Sequence, residues 1–193
     1  MSMTGNNAAN HPIRLLVLDL IYPAVLGAMV VLLFIRIAPT ARAALHEPTT
    51  YFALIIGAYY SAGFVNAKID NTYSFKLGAL DLVSSVLIFV SFYLLGFAQD
   101  ALPGQAAPSV NYLLFYTVLI LTMLTPMFRR AARGQKRPFR TAIAILALLV
   151  TAIGITQASG VAQLADATPG VVAAALSVIF TVYLVEMAVN GVS

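Results

Sequence analysis

The chain has 193 residues, of which 61% are hydrophobic and only 9% are charged. A soluble domain carries roughly a quarter charged residues, so too few charges remain here to cover a surface in contact with water. Most of the chain is therefore expected to face lipid. The net charge of +4 does not indicate nucleic-acid binding, because the basic excess lies in one loop rather than on the face of a domain.

Residue types that hold metals and cofactors are scarce. The chain has no Cys, and its two His, His11 and His46, lie outside the apolar stretches. We therefore expect no cofactor and no metal site. Common catalytic motifs such as the Walker loop or His-Glu-x-x-His are also absent from the sequence, which disfavours an enzyme.

Six apolar stretches predict an all-α membrane protein with a single bundle of six transmembrane helices. A helix needs about 20 apolar residues to cross the hydrocarbon core, and backbone groups in lipid must be satisfied within the segment. The connections are short, so residues 1–193 are expected to form one transmembrane domain. The predicted helices lie at about 14–37, 49–67, 73–98, 111–129, 140–159 and 170–190.

The first stretch is predicted to be a retained helix rather than a signal peptide. A signal core has about 7–15 apolar residues after a basic start, whereas this stretch is longer and contains Asp19. Tyr22 and Pro23 follow Asp19 closely. Since Pro has no N–H, Pro23 is expected to loosen the backbone hydrogen bond that would reach Asp19.

Polar residues recur at helical spacing in the second, third and sixth stretches. Because lipid penalises them, these stripes are expected to face the interior of the bundle. The stripe of the second stretch consists of Tyr59, Gly63, Asn66 and Asp70. That of the third stretch consists of Ser74, Gly78, Asp81, Ser85 and Ser91, and that of the sixth of Tyr183, Glu186 and Asn190.

Three carboxylates, Asp19, Asp81 and Glu186, lie within the apolar stretches. A charge at mid-bilayer costs about 2.5–3.5 kcal/mol on insertion scales. At 1.5 Å per residue, all three lie roughly 6–12 Å below the cytoplasmic surface. One interpretation is a polar cavity that binds a cation, a proton or a cationic group. The other is ion pairing, with Arg14 or Lys76 neutralising the two aspartates and Glu186 reaching the interface. The candidate binding residues are Asp81, Asp19, Glu186, Ser85, Asn66 and Tyr59.

The loop at 129–140, between the fourth and fifth stretches, holds six of the eleven Lys and Arg residues. One interpretation is topology together with attraction to anionic lipid, worth roughly 1 kcal/mol per basic residue. The other is a docking site for an acidic or phosphorylated partner. The basic residues concerned are Arg129, Arg130, Arg133, Lys136, Arg137 and Arg140.

Basic residues also predict the orientation, because they are enriched in cytoplasmic loops. Placing the basic loop in the cytoplasm puts the turn at Lys68 and both termini there as well. Nine of the eleven basic residues then lie inside, and only Arg36 and Arg42 lie outside. We therefore expect a multi-pass protein of the plasma (inner) membrane with both termini in the cytoplasm.

The leading functional hypothesis is movement of a small solute or ion, as a channel or carrier, with the carboxylates as the coupling or selectivity site. A first alternative is a non-catalytic membrane subunit or scaffold that docks a partner through the basic loop. A second is a lipid-modifying membrane enzyme with Asp81 or Glu186 as the acid or base. Expected partners are the bilayer, including anionic lipids, and further copies of the chain or other subunits of a membrane complex.

Overall fold

The structure is a computed structural model that describes residues 12–38, 47–69, 74–97, 110–132, 138–161 and 169–190. Within these ranges the chain forms six helices and no strand. The helices are α1 (Pro12–Ile37), α2 (Pro48–Ile69), α3 (Phe75–Leu94), α4 (Tyr112–Ala132), α5 (Pro138–Ala158) and α6 (Pro169–Asn190).

The six helices close into a ring. Helix α4 lies between α3 and α5, helix α6 lies between α5 and α2, and α1 packs on both α2 and α3. Successive helices run in opposite directions, so α1, α3 and α5 begin at the end of the bundle where α2, α4 and α6 finish. We call this the basic end, because Arg14, Lys68, Arg130 and Arg140 lie near it.

Helix α1 contains a widened turn. Residues Leu15–Ile21 are π-helical, and the Tyr22 N–H bonds to the Val17 carbonyl five residues earlier. Pro23 lies at the start of the α-helical part that follows. Because Pro23 has no N–H to donate to the Asp19 carbonyl, the regular ladder is interrupted at the place where the π-helical turn ends.

The residues at the starts of several helices favour helix initiation. Pro48, Pro138 and Pro169 each occupy the first position of a helix, where the missing N–H has no intrahelical partner to lose. The Ser74 hydroxyl accepts a hydrogen bond from the Leu77 N–H at the start of α3. The Asn111 side chain does the same for the Leu114 N–H in α4, so both side chains act as N-caps.

Helix α3 ends at Leu94, earlier than the predicted limit near residue 98, because Gly96 has a positive φ of 85°. The Phe97 N–H bonds to the Phe92 carbonyl and the Gly96 N–H bonds to the Tyr93 carbonyl, which is a Schellman cap. The rings of Phe92 and Phe97 pack with centroids 5.2 Å apart. Glycine is needed because side chains disfavour this backbone conformation.

Arg36 joins three helices at the end of the bundle opposite the basic end. Its Nη2 lies 2.8 Å from Oε2 of Glu47, just before α2, and its Nη1 donates to the Leu95 carbonyl at the end of α3 at 3.4 Å. The guanidinium also lies 4.7 Å from the centre of the Phe97 ring. This cluster fixes the end of α1 against its two neighbours.

Four of the helices are long and apolar enough to cross a membrane, namely α1, α3, α5 and α6. In α4 the apolar stretch Tyr112–Phe128 is shorter, and α2 is not among the four. Large side chains such as Phe34, Val178 and Val189 are exposed on the outside of the bundle. A water-facing surface does not carry so many exposed apolar residues, so these helices indicate an integral membrane protein.

Candidate functional site: a cavity and an ion pair at the basic end

A buried ion pair connects α5 and α6. Arg140 is the third residue of α5, and its Nε donates to Oε2 of Glu186 near the end of α6. Both side chains are only 9% exposed. Two residues that the sequence assigned to separate roles, one in the basic loop and one among the carboxylates, therefore form a single feature.

A cavity of about 80 Å³ lies beside this pair, between α2, α4, α5 and α6. Its lining includes Arg130 and Arg140 at the basic end, together with Tyr59 and Tyr183. The remaining walls are mainly apolar and include Ile56, Leu119, Met123, Ile143, Ala147, Leu176 and Phe180. The cavity is thus charged at one end and apolar along its length, whereas the sequence suggested a polar cavity lined by carboxylates.

Arg130 supplies a second cation to this end of the cavity. Its Nε donates to the Pro126 carbonyl one turn earlier, at 3.3 Å. Its Nη1 is buried and has no hydrogen-bond partner in the part of the chain that the structure describes. A buried charged donor without a partner is unfavourable, so this atom is a feature that a ligand would satisfy.

Asp81 lies in a different part of the bundle, where α2 packs against α3. It is 3% exposed, and its backbone carbonyl accepts a hydrogen bond from the Ser85 hydroxyl at 2.8 Å. The Tyr60 hydroxyl lies 2.6 Å from the same Ser85 oxygen. Because the single hydroxyl proton of Ser85 is directed at the Asp81 carbonyl, Tyr60 is the donor in this contact.

The aromatic ring of Tyr60 is held in place by Tyr22 of α1, with ring centroids 4.5 Å apart. Ser84 and Ser91, on the same side of α3, are buried as well. From Gly78 to Ser91 the polar stripe of the third helix therefore faces the interior, as its spacing predicts, whereas Ser74 is exposed and caps the helix start. Neither Asp81 nor Ser85 lines the cavity at the basic end.

Asp19 occupies a more exposed position than the other two carboxylates. Its side chain is 56% exposed, and its Oδ1 lies 3.8 Å from Nζ of Lys68. Arg14 instead donates to the Lys68 carbonyl at 3.2 Å. Asp19 therefore pairs with Lys68 at the end of α2, whereas the ion-pairing interpretation named Arg14 or Lys76.

Tyr59 is the predicted binding residue of α2 that the structure brings to the cavity. Its ring also meets that of Phe180 on α6, with centroids 6.1 Å apart. Five further predicted residues have side chains outside the described part of the chain. They are Asn66, Arg129, Arg133, Lys136 and Arg137.

The sequence pattern predicts Arg140 at the end of the basic loop, whereas the structure places its side chain inside the bundle. Helical spacing contained the information, since Arg140, Ala144, Ala147 and Thr151 recur at i, i+4, i+7 and i+11 on α5. Ala147 and Thr151 are buried. A face of small residues that continues into an arginine predicts that the arginine points inward.

Among the described residues, no group of three or more His, Asp or Glu side chains could hold a metal ion. The comparisons with protein families, with curated proteins and with solved structures gave no match. The described part of the chain thus belongs to the class of all-α proteins whose apolar helices suggest integration in a membrane.

Proposed function

We propose that the protein is a carrier that moves a small solute or ion across its membrane. The cavity between α2, α4, α5 and α6 is the binding site, and the Arg140–Glu186 pair is the group that exchanges partners when the site is loaded. The observation that supports this proposal is a buried ion pair directly beside a cavity in a bundle of apolar helices.

The physical support is that a buried ion pair contributes little net free energy to folding. Desolvation of two charges offsets most of their attraction, so such a pair is weak support for stability. Ionisable residues within membrane helices are rare, face the interior of the bundle or a cavity, and mark substrate and ion pathways. Arg140 can accept an anion, and Glu186 can accept a proton or a cation, if the pair opens.

The proposal includes six membrane-spanning helices with the basic end in the cytoplasm. Helices α2 and α4 are more polar than the other four, but each packs between helices that are long and apolar enough to span. Tyr59 of α2 and Arg130 of α4 line the cavity. The orientation follows from the excess of basic residues near this end.

Asp81 is included as a candidate site for a coupling ion. It is buried in the bundle beside Tyr60 and Ser85 and apart from the cavity residues. The cavity would bind the solute and the site at Asp81 would bind the coupling ion, on different faces of α2. Movement of α2 relative to its neighbours would then be sensitive to both sites.

The test uses the purified protein in liposomes. Proton flux is followed with an entrapped pH-indicator dye under an imposed membrane potential, and anion flux is followed with labelled octanesulfonate. We expect at least one flux above that of protein-free vesicles, and its loss in Arg140→Gln and Glu186→Gln. Arg36→Gln is the matched control, because it alters an ion pair at the opposite end.

Full flux in a folded Arg140→Gln or Glu186→Gln variant would reject the pair as the site. Absence of both fluxes in the unaltered protein would reject the carrier for these probes and favour the docking of a partner through the basic loop. In that case, neutralising Arg133, Lys136 and Arg137 would release the partner, whereas the carrier proposal predicts that these changes leave flux intact.

A further inference from the structure

We propose that the cavity binds an anionic phospholipid, with its phosphate at Arg130 and a segment of one acyl chain in the apolar part. This inference rests on the proposed function in that it names a ligand class for the same cavity. It is tested by binding rather than by flux, so that the two proposals fail separately.

The charge at the cavity mouth favours an anion. Glu186 is paired with Arg140, whereas the buried Nη1 of Arg130 has no hydrogen-bond partner within the described ranges. A guanidinium with a free N–H matches a phosphate oxygen in both charge and geometry. A head group without an anion would leave this donor unsatisfied. A zwitterionic head group also has a phosphate, but it would bring its own cation next to Arg130 and Arg140.

The shape and lining of the cavity favour an apolar tail. The cavity-lining residues of α4 run from Leu119 to Arg130, which corresponds to about 16 Å along the helix axis. Apolar cavities exclude water and bind apolar groups; one of about 150 Å³ holds benzene. The volume of about 80 Å³ is smaller and fits a segment of a single chain rather than a ring or a bulky polar solute.

The position along the membrane fits a phospholipid as well. Arg130 and Arg140 lie at the basic end, next to a sequence segment rich in Lys and Arg. Basic segments near the membrane surface concentrate anionic lipids. The head group would therefore lie at the level of the phosphates, and the chain would extend towards Leu119 and Leu176 in the hydrocarbon region.

The chain has no Trp, so a single introduced Trp reports on its surroundings. Phe180→Trp places this reporter in the cavity wall, and Phe34→Trp places it at a position of α1 that is 71% exposed. Each protein is reconstituted with phosphatidylglycerol or phosphatidylcholine that carries bromine on the acyl chains, which quenches Trp fluorescence on contact.

We expect the reporter at position 180 to be quenched at a lower mole fraction of phosphatidylglycerol than of phosphatidylcholine. The reporter at position 34 should be quenched equally by both. Adding Arg130→Gln should weaken the preference at position 180 about tenfold, which corresponds to about 1.4 kcal/mol. Arg130→Lys should retain part of the preference, because it keeps the charge but loses the fork of donors.

Equal quenching at position 180 by the two lipids would overturn the proposal. Stronger quenching by a brominated free fatty acid than by phosphatidylglycerol would also overturn it, in favour of a single-chain acid. If Phe180→Trp fails to fold, native mass spectrometry of the otherwise unaltered protein provides the test. The protein should retain phosphatidylglycerol, and Arg130→Gln should lose it while Arg36→Gln does not.

The binding and flux experiments separate the two proposals. A lipid preference at position 180 without flux of protons or octanesulfonate would support the lipid site and reject the carrier for these two probes. Flux that depends on Arg140 and Glu186, without a lipid preference, would reject the phospholipid and retain the carrier.

Discussion

Arg140 and Glu186, 46 residues apart in the chain, form a buried ion pair that joins the start of α5 to the end of α6. The pair lies beside an apolar cavity that Arg130 also lines. The buried Nη1 of Arg130 has no hydrogen-bond partner within the described residues. Two cations and one carboxylate thus meet where four helices surround a space large enough for part of a ligand.

Removing one member of the pair should destabilise the protein strongly. Arg140→Met or Glu186→Met alone leaves an uncompensated buried charge, and each should lower the free energy of unfolding by about 3–5 kcal/mol. The double variant removes both charges and should return close to the stability of the unaltered protein. Thermal unfolding in the same detergent gives the comparison.

Glu47→Met serves as the reference for this prediction. The Glu47 side chain is 47% exposed, and an exposed group in an ion pair contributes only about 0–1 kcal/mol. This change should therefore have a small effect on the free energy of unfolding. Equal effects of Glu47→Met and Glu186→Met would show that the Arg140–Glu186 contact is not desolvated as its burial implies.

The burial of Asp81 predicts a role in coupling that Asp19 does not share. Asp81→Asn should make uptake of the transported solute independent of an imposed ion gradient. It should leave lipid quenching of the Trp at position 180 unchanged. Asp19→Asn should change neither, because its side chain is 56% exposed and its Lys68 contact is 3.8 Å. Gradient-driven uptake that persists in Asp81→Asn would remove Asp81 from the mechanism.

Close packing between α4 and α5 predicts an effect of Gly154→Ala. A Cβ at this position would lie 2.9 Å from Cε2 of the buried Tyr116 ring, and overpacking of this kind costs about 1–3 kcal/mol. Gly27→Ala is the control, because a Cβ there meets nothing within 4 Å. It should stabilise α1 by up to about 1 kcal/mol, since Ala is the better helix former. Thermal unfolding distinguishes the two.

The proposed topology is testable because the chain has no Cys. Single Cys residues introduced by Gln135→Cys and Ser193→Cys should react with a membrane-impermeant maleimide only from the cytoplasmic side. A Cys from Gln105→Cys should react only from the other side. Labelling of positions 135 and 193 from opposite sides would contradict an even number of spans between them.

The helical fold was predictable because apolar length is a strong constraint in a chain with so few charges. The end of α3 was harder to predict from the sequence, because it depends on the cap formed by Gly96 and Phe97. That cap is visible in the sequence only as a glycine. The inward stripe of Asp81 and Ser85 followed from helical spacing, and the structure buries both.

The Arg140–Glu186 pair could not be predicted, because it requires knowing which helices are neighbours. Local patterns place Arg140 on the same face of α5 as Ala147, but they do not place α6 beside α5 with Glu186 at the right height. The cavity is likewise a property of four helices together. Whether the candidate residues act in function remains a prediction for each of them.

In the proposed carrier, the Arg140–Glu186 pair serves transport rather than stability. Proton and octanesulfonate flux should therefore be measured in liposomes that contain the double variant Arg140→Met/Glu186→Met, after its unfolding has been measured. We expect a stably folded protein whose flux falls to that of protein-free vesicles. A stably folded double variant with the flux of the unaltered protein would contradict it.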